Sequence, residues 1–474
     1  MLTRESSVTN FNPSRRRVLC AGVLAGAFTA CPALAELQVS ITGVGANQLP
    51  IAVKVFEGSG ATGFDAAAVI GADLERSGAF RLIPTGAEGE PENLEKPASL
   101  EAFGKLGANA LAVGRVSRLP DGRWELTYYL HNTVTGALTD SAVFTTSGND
   151  VRMCAHRIAD RIYTNLTGEG PIFASKLVYV AQLARNRYEL VISDSDGGNR
   201  QAALQSHEPI ISPVWSPDGK KISYVSFEDR KPIIYVQELA TGARHAICAF
   251  RGNNSAPAFS ADGGTLAVAL SRDGLTQIYL MNANGTGLRR FTKSYGIDTE
   301  PCFSADGQWV YFTSDRGGAP QIYRQPLAGG PAERVTFGSS YAISPTVSRD
   351  GRYLSYISRI DGRFRTAVMD LTTGQNTLVT TTDRDESPSF APKAASSSMR
   401  RKSTAAAFLE RPPSTAGSRR ASPVWATSVN PAGDRFCPDE GRKPTTINHN
   451  TVARNTKCPF RGKSSLPPQP LPLF

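Results

Sequence analysis

Between residues 177 and 369, apolar and polar positions alternate in short runs broken by glycine, proline, aspartate and asparagine. This is the period-2 pattern of half-buried strands separated by turns. One unit can be followed run by run. Residues 213–216 give a first strand and Pro217-Asp218-Gly219 a turn; Lys221-Ile222-Ser223-Tyr224-Val225-Ser226 is a second strand, 233–239 a third and, after Thr241-Gly242, 245–248 a fourth. The opening word of the unit, P-V-W-S-P-D-G from Pro213, returns as P-A-F-S-A-D-G from Pro257, P-C-F-S-A-D-G from Pro301 and P-T-V-S-R-D-G from Pro345. A fifth copy, P-S-F-A-P-K from Pro388, begins and breaks off. The prolines stand 44, 44, 44 and 43 residues apart. A fixed period of that length marks a repeat architecture, and four short antiparallel strands per repeat describe the blade of a β-propeller.

Residues 177–180 and 188–192, followed by the turn Asp196-Gly197-Gly198, supply a first blade that lacks the P-x-F-S opening. The expectation is therefore five complete blades and the first strand of a sixth.

Ahead of the repeats the pattern changes. Strands are predicted at 37–41 and 49–56, then a helix from about Asp65 with Val69, Ile70 and Leu74 on one face, a strand at 80–83 and a short helix at 100–106. Strands at 110–118, 124–132 and 137–145 follow. A closing helix spans 151–166, with Val151, Cys154, Ile158, Ile162 and Leu166 at helical spacing and Gly168 as its stop signal. Helices on one face of a small mixed sheet make this an α/β or α+β domain. The fold class expected is an α/β N-terminal domain over 36–168 followed by an all-β propeller over 171–392.

Within the first domain, Gly58-Ser59-Gly60-Ala61-Thr62-Gly63 matches the G-x-G-x-x-G pattern that lets a backbone approach a pyrophosphate. A dinucleotide site also needs an acidic residue at the end of the next strand, and here that strand runs into Pro84. A glycine-rich loop with Asp65 as helix cap accounts for the same residues.

Charge changes the picture only after it is located. The 474-residue chain carries a formal +10, but residues 393–474 alone hold 14 Lys/Arg against 4 Asp/Glu, and residues 36–392 sum to −3. A basic, nucleic-acid-binding body is excluded. At the N-terminus, Ser14-Arg15-Arg16-Arg17-Val18-Leu19 precedes an apolar run over 18–30, and Ala33-Leu34-Ala35 offers small residues for cleavage between Ala35 and Glu36. Residues 1–35 thus read as a cleaved export signal, by the twin-arginine or the general route. The three cysteines of the body, Cys154, Cys248 and Cys302, form no C-x-x-C pair and imply neither a disulfide framework nor a metal site.

Candidate chemistry is sparse. Asp218, Asp262, Asp306 and Asp350 each precede a glycine, Gly219, Gly263, Gly307 and Gly351, and read as structural turns rather than catalytic carboxylates. Asp194, Asp196 and Asn199 suggest a calcium loop, but Gln205 stands where a bidentate glutamate is required. There is no G-x-S-x-G elbow and no H-E-x-x-H. No catalytic residue, metal ligand or cofactor is assigned.

The repeats and the domain before them resemble the TolB family of periplasmic propeller proteins. The resemblance covers about residues 14–392. It rests on the export signal, the helix word His156-Arg157-Ile158-Ala159-Asp160 running to Leu166-Thr167-Gly168, W-S-P-D-G-K-K-I-x-Y-V-S at 215–226 and I-Y-V-x-x-L-x-T-G at 234–242. It implies a six-bladed propeller and a non-enzymatic component of the Tol-Pal system, acting in the periplasm without cofactor, nucleic acid or small-molecule substrate and reaching membranes only through its partners. Those partners would be the inner-membrane protein TolA and the outer-membrane lipoprotein Pal, in support of outer-membrane integrity and cell division. The TolA side is expected to use the mature N-terminal segment Glu36, Leu37, Gln38 and Val39. Pal is expected over one mouth of the propeller, on the loops leading into each P-x-F-S strand: Glu208, Asn253, Asn254, Ala256, Asp298, Thr299, Glu300, Ser344 and Glu386. The alternative functions are a periplasmic sensor or ligand-binding propeller and, further off, the propeller of a peptidase-like protein.

The resemblance stops at residue 392. The family pattern continues with a turn and three more strands; this chain instead gives a Pro/Ser/Arg-rich stretch over 393–474 with 11 prolines, which is expected to be disordered. A frameshift accounts for it, and a basic arm for an anionic surface is the other reading. A propeller short of a blade exposes apolar faces and strand edges, so the chain is expected to fold poorly.

Overall fold

The computed structural model describes residues 48–63, 65–86, 93–380, 382, 384–391 and 425–429. The predicted strand at 37–41, the cleavage point at Ala35 and Glu36, and the segment Glu36, Leu37, Gln38 and Val39 lie outside the described residues, as does the 393–474 stretch apart from 425–429.

The first domain is built on β1 (Leu49–Val53), α1 (Ala66–Arg76), β2 (Phe80–Leu82), α2 (Leu100–Lys105), β3 (Ala110–Arg118), β4 (Trp124–Asn132), β5 (Leu138–Thr146) and α3 (Val151–Thr167). The sheet order is β2-β1-β3-β4-β5, parallel around β1 and antiparallel from β3 onward. Helix α1 begins where the Asp65 carboxylate accepts the Ala67 and Ala68 amides, and α3 ends at Gly168 in the left-handed conformation. Strand alternation sends Ile51, Val53, Ala110 and Ala112 to one face, where Ile70 and Leu74 of α1 and Ile158 and Ile162 of α3 cover them. Each such side chain contributes roughly 1.5–3 kcal/mol by leaving water. The other face is covered as well, which corrects the one-face expectation. Ala52, Leu111 and Val113 pack there with Ile83 and with Phe103 of α2. Six residues are too few to show a helical stripe, so the sequence pattern left α2 without a side.

The propeller follows as five four-stranded sheets. The first contains β6 (Lys176–Ala184), β7 (Arg187–Asp194) and β8 (Gln201–Ser206); the second β9 (Ile210–Trp215), β10 (Lys221–Ser226), β11 (Ile233–Glu238) and β12 (Arg244–Cys248). The third runs β13 (Asn254–Phe259), β14 (Thr265–Leu270), β15 (Gln277–Asn282) and β16 (Arg289–Arg290). The fourth runs β17 (Asp298–Phe303), β18 (Trp309–Ser314), β19 (Gln321–Pro326) and β20 (Glu333–Arg334), and the fifth β21 (Ala342–Val347), β22 (Tyr353–Ile360), β23 (Arg363–Asp370) and β24 (Asn376–Leu378). The cores lie between neighbouring sheets. Val225 and Ile234 of the second meet Leu266 and Val268 of the third, and Ala267 and Ala269 of the third meet Val310 and Phe312 of the fourth.

The five expected four-stranded blades are present, and the first strand expected for a sixth is not found among the described residues. Residues 388–391 form no strand, since no second strand pairs with them among the described residues. The first blade does have a fourth strand, and it comes from the far end of the chain. β25 (Trp425–Val429) pairs antiparallel with β6, Trp425 opposite Val180 and Val429 opposite Lys176. β6 would otherwise present an open edge, and closing such an edge is the general solution of ring-shaped β folds.

The serine and aspartate of each P-x-F-S-x-D-G word lock the turn between the first two strands. Ser216, Ser260, Ser304 and Ser348 donate from Oγ to Oδ1 of Asp218, Asp262, Asp306 and Asp350, at 2.6, 2.5, 2.5 and 2.5 Å. Each carboxylate also accepts an amide two residues on, from Lys220, Gly264, Gln308 and Arg352. Hydrogen bonds from Ser260 and Ser304 hold the Asp262 and Asp306 carboxyls below the usual range. A carboxyl lowered in the fold stabilises it above the unfolded value near 3.9 and loses that contribution as pH falls through the folded value. Ser304→Ala is accordingly expected to raise the Asp306 carboxyl toward its ordinary value in an NMR titration, and an unmoved Asp306 would contradict the turn assignment.

Candidate functional site

Six of the nine mouth residues stand in strands rather than loops. The innermost strands start three residues ahead of each proline or more, so Asn254, Ala256, Asp298, Thr299, Glu300 and Ser344 belong to β13, β17 and β21, while Glu208 and Asn253 precede strands and Glu386 follows the isolated bridge residue Arg384. The sequence signal fails here for a physical reason. The triplets before the prolines, such as Asn254-Ser255-Ala256 and Asp298-Thr299-Glu300, share no apolar alternation, so a strand cannot be read into them.

What they share is backbone geometry. Ser212, Ala256, Glu300, Ser344 and Ser387 all have positive φ, at 52°, 49°, 51°, 55° and 47°, and each precedes the proline of its repeat. In the four complete copies the ladder shifts register at this point. Two residues, Ser212-Pro213, Ala256-Pro257, Glu300-Pro301 and Ser344-Pro345, face single residues of the second strand, Tyr224, Val268, Phe312 and Tyr356. That is a β-bulge, a device that re-aims side chains and clusters at functional sites. Left-handed φ at a non-glycine residue costs about 1–2 kcal/mol, and the same cost recurs at five equivalent positions. Such strain persists only where the surroundings over-determine it, which makes the bulges a site candidate.

The four bulged strands are successive neighbours in the order β9, β13, β17, β21, with β25 beside β9. Glu300 ties two of them together. Its Oε2 accepts Thr313 Oγ1 at 2.7 Å and the Ser344 amide at 2.9 Å, and its Oε1 accepts Ser344 Oγ at 2.8 Å. The broken repeat keeps the local geometry, since Thr346 Oγ1 donates to the Pro388 carbonyl at 2.9 Å and Asp385 accepts the Thr366 amide and hydroxyl.

The expected residues divide by exposure and partners. Asn254 and Asp298 are buried and turned inward. The Asn254 amide nitrogen donates to the Phe250, Gly252 and Pro232 carbonyls, and Asp298 is held by both carboxylate oxygens on Arg316 Nη2, each at 2.9 Å. Asn253 caps the approach through its own amide to Ser271 Oγ and its side chain to Ser255 Oγ. Glu208 is exposed, and Ala256, Thr299, Glu300, Ser344 and Glu386 are half-buried. Glu386 differs from the others. Its Oε2 is buried without a hydrogen-bond partner, and burial pushes its carboxyl above the ordinary value. A half-buried acceptor left unmatched beside a ring of strained backbone is suited to meeting a donor from outside. Among the described residues no helix is long and apolar enough to cross a membrane.

Comparison with known proteins bears on both domains. Residues 163–410 match the model of the TolB beta propeller domain and residues 37–139 that of the TolB amino-terminal domain. A Tol-Pal system protein TolB from Albidiferax ferrireducens is 47% identical over 51% of this chain and 56% of its own length. One from Dechloromonas aromatica is 50% identical over 47% of this chain and 52% of its own. The chain spans about half the length of the curated relatives it matches. Among solved structures, that of TolB from Acinetobacter baumannii is similar with a TM-score of 0.66 at 34% identity, over 76% of this chain and 88% of that one.

Proposed function

Since the chain belongs to the TolB family, we propose that it works as a non-catalytic, periplasmic adaptor of the Tol-Pal system, using the bulged ring of its propeller to bind the lipoprotein Pal. The observation that carries this reading is the fivefold return of left-handed, pre-proline geometry, four times on neighbouring strands of the propeller. A rigid ring that fixes half-exposed side chains is suited to recognition by shape and hydrogen bonds. The segment Glu36, Leu37, Gln38 and Val39 is the proposed TolA contact, so that one adaptor would link the two membranes in support of outer-membrane integrity and cell division.

The test is retention of the chain on an immobilised soluble domain of Pal. Retention is expected, with Thr299→Arg and Glu386→Gln each weakening it at least about tenfold, or 1.4 kcal/mol. Circular dichroism shows whether the variants keep the fold. A folded chain that is not retained, or folded variants retained as well as the parent, sinks the assignment of the ring to Pal.

A further inference from the structure

We propose that the junction of the two domains holds a divalent-cation site, with His156 Nε2, Asp194 Oδ2 and Asp196 Oδ1 as its protein ligands. His156 comes from α3, Asp194 ends β7, and Asp196 lies in the turn after it. His156 and Asp194 are fully buried. Asp196 is only 12% exposed, which leaves a short way in from the surface.

The tautomer of His156 follows from its other nitrogen. Nδ1 lies 2.5 Å from Asp73 Oδ2, and a carboxylate can only accept there, so Nδ1 carries the proton. In the neutral imidazole Nε2 then presents its lone pair. It has no hydrogen-bond partner and faces Asp194 Oδ2 and Asp196 Oδ1, each at 3.8 Å. That distance is too long for a hydrogen bond. It suits two ligands of one ion bound about 2.1 Å from each. Asp194 Oδ2 likewise makes no hydrogen bond, its nearest cation being Arg152 Nε at 3.4 Å. His156 Nε2 thus has two carboxylate oxygens at 3.8 Å, Asp194 Oδ2 without a hydrogen bond and Asp196 Oδ1 accepting the Gly198 amide at 2.9 Å.

The outer atoms of the same groups are all engaged. Lys176 Nζ holds Asp194 Oδ1 at 3.0 Å, Arg152 Nη2 binds Asp196 Oδ2, and Arg76 Nη2 binds Asp73 Oδ1. Such outer partners fix the direction of metal ligands, and a carboxylate behind the far nitrogen of a ligating histidine is the commonest of them. One imidazole and two carboxylates suit zinc and neighbouring first-row cations rather than magnesium or calcium, which take oxygen alone. The three ligands come from both domains, so a bound ion would join them.

The experiment is zinc titration of the full chain after removal of bound metal, followed by calorimetry and by thermal unfolding, with magnesium as the comparison. Zinc is expected to raise the unfolding temperature and magnesium to leave it unchanged. His156→Ala and Asp196→Asn are each expected to lose one bound zinc equivalent and the thermal shift, and Asp73→Asn to weaken that site about 10- to 100-fold. Counting the equivalent lost separates this site from zinc bound elsewhere on the chain. Asp196→Asn is near the surface and isosteric, so it decides the matter should His156→Ala not fold. Zinc stoichiometry and thermal shift unchanged in Asp196→Asn overturn the proposal.

Discussion

Gly58→Ala is expected to destabilise the N-terminal domain by about 2–5 kcal/mol, the sum of a left-handed backbone penalty of about 1–2 and an overlap penalty of about 1–3. Gly58 has φ 79°, and a Cβ there would lie 2.2 Å from the Val116 carbonyl oxygen. Neither side of that contact can yield. The chain around Gly58 is held by Glu57, whose amide donates to the Gly114 carbonyl at 3.0 Å and whose carbonyl accepts the Val116 amide at 2.7 Å. Val116 in turn is fixed in register opposite Leu126. Gly63 shares the positive φ, at 73°, but nothing lies within 4 Å of its Cβ position, and Gly60 has neither constraint. Gly63→Ala should therefore cost about 1 kcal/mol and Gly60→Ala close to nothing. Urea midpoints for the three variants measure the ranking. A phosphate-cradling loop would make all three glycines matter to a ligand and none of them so unequally to stability, so equal midpoints would return the G-x-G-x-x-G reading to contention.

That contrast shows what a sequence carries and what it withholds. The strand, loop and helix around Gly58 were legible because each has a local cause: alternation in β1, the Asp65 cap, and the apolar stripe of α1. The propeller was legible because its period repeats four times. What escaped depends on partners distant in the chain. The bulges have no residue signature beyond a following proline, since serine, alanine and glutamate all occupy the left-handed position. The edge of β6 is closed by Trp425–Val429, for which the only sequence hint is that Pro423-Val424-Trp425 repeats the word Pro213-Val214-Trp215. On α3, Arg152, His156 and Asp160 recur every four residues beside an apolar stripe. A polar row on a helix face reads as solvated, yet here it faces the second domain.

Asp160→Ala is expected to cost about 3–5 kcal/mol and to loosen the passage from the first domain into the propeller. The Asp160 carboxylate accepts the amides of Ile172, Phe173 and Ala174 at 2.6, 2.7 and 2.9 Å. It is thus the acceptor for three consecutive donors in the segment that leads into β6. Alanine would take this acceptor from the buried Phe173 amide and from the half-buried amides of Ile172 and Ala174, at about 1–3 kcal/mol apiece where water cannot replace the carboxylate. The segment also anchors packing. Phe173 is 1% exposed and meets Tyr163 edge-on at 5.5 Å, and Tyr163 meets Phe80 at 6.2 Å, so slack at residues 172–174 reaches the core under α1 and α3. Asp160→Asn keeps one acceptor oxygen but turns an amide donor toward three others, and its loss should approach that of alanine. Hydrogen exchange at the three amides gives the direct measurement. They should be among the slow exchangers in the parent and exchange faster by two orders of magnitude or more in both variants, since each 1.4 kcal/mol of opening is a factor of ten. Amides that stay protected in Asp160→Ala would mean that packing of Phe173, rather than the carboxylate, holds the junction.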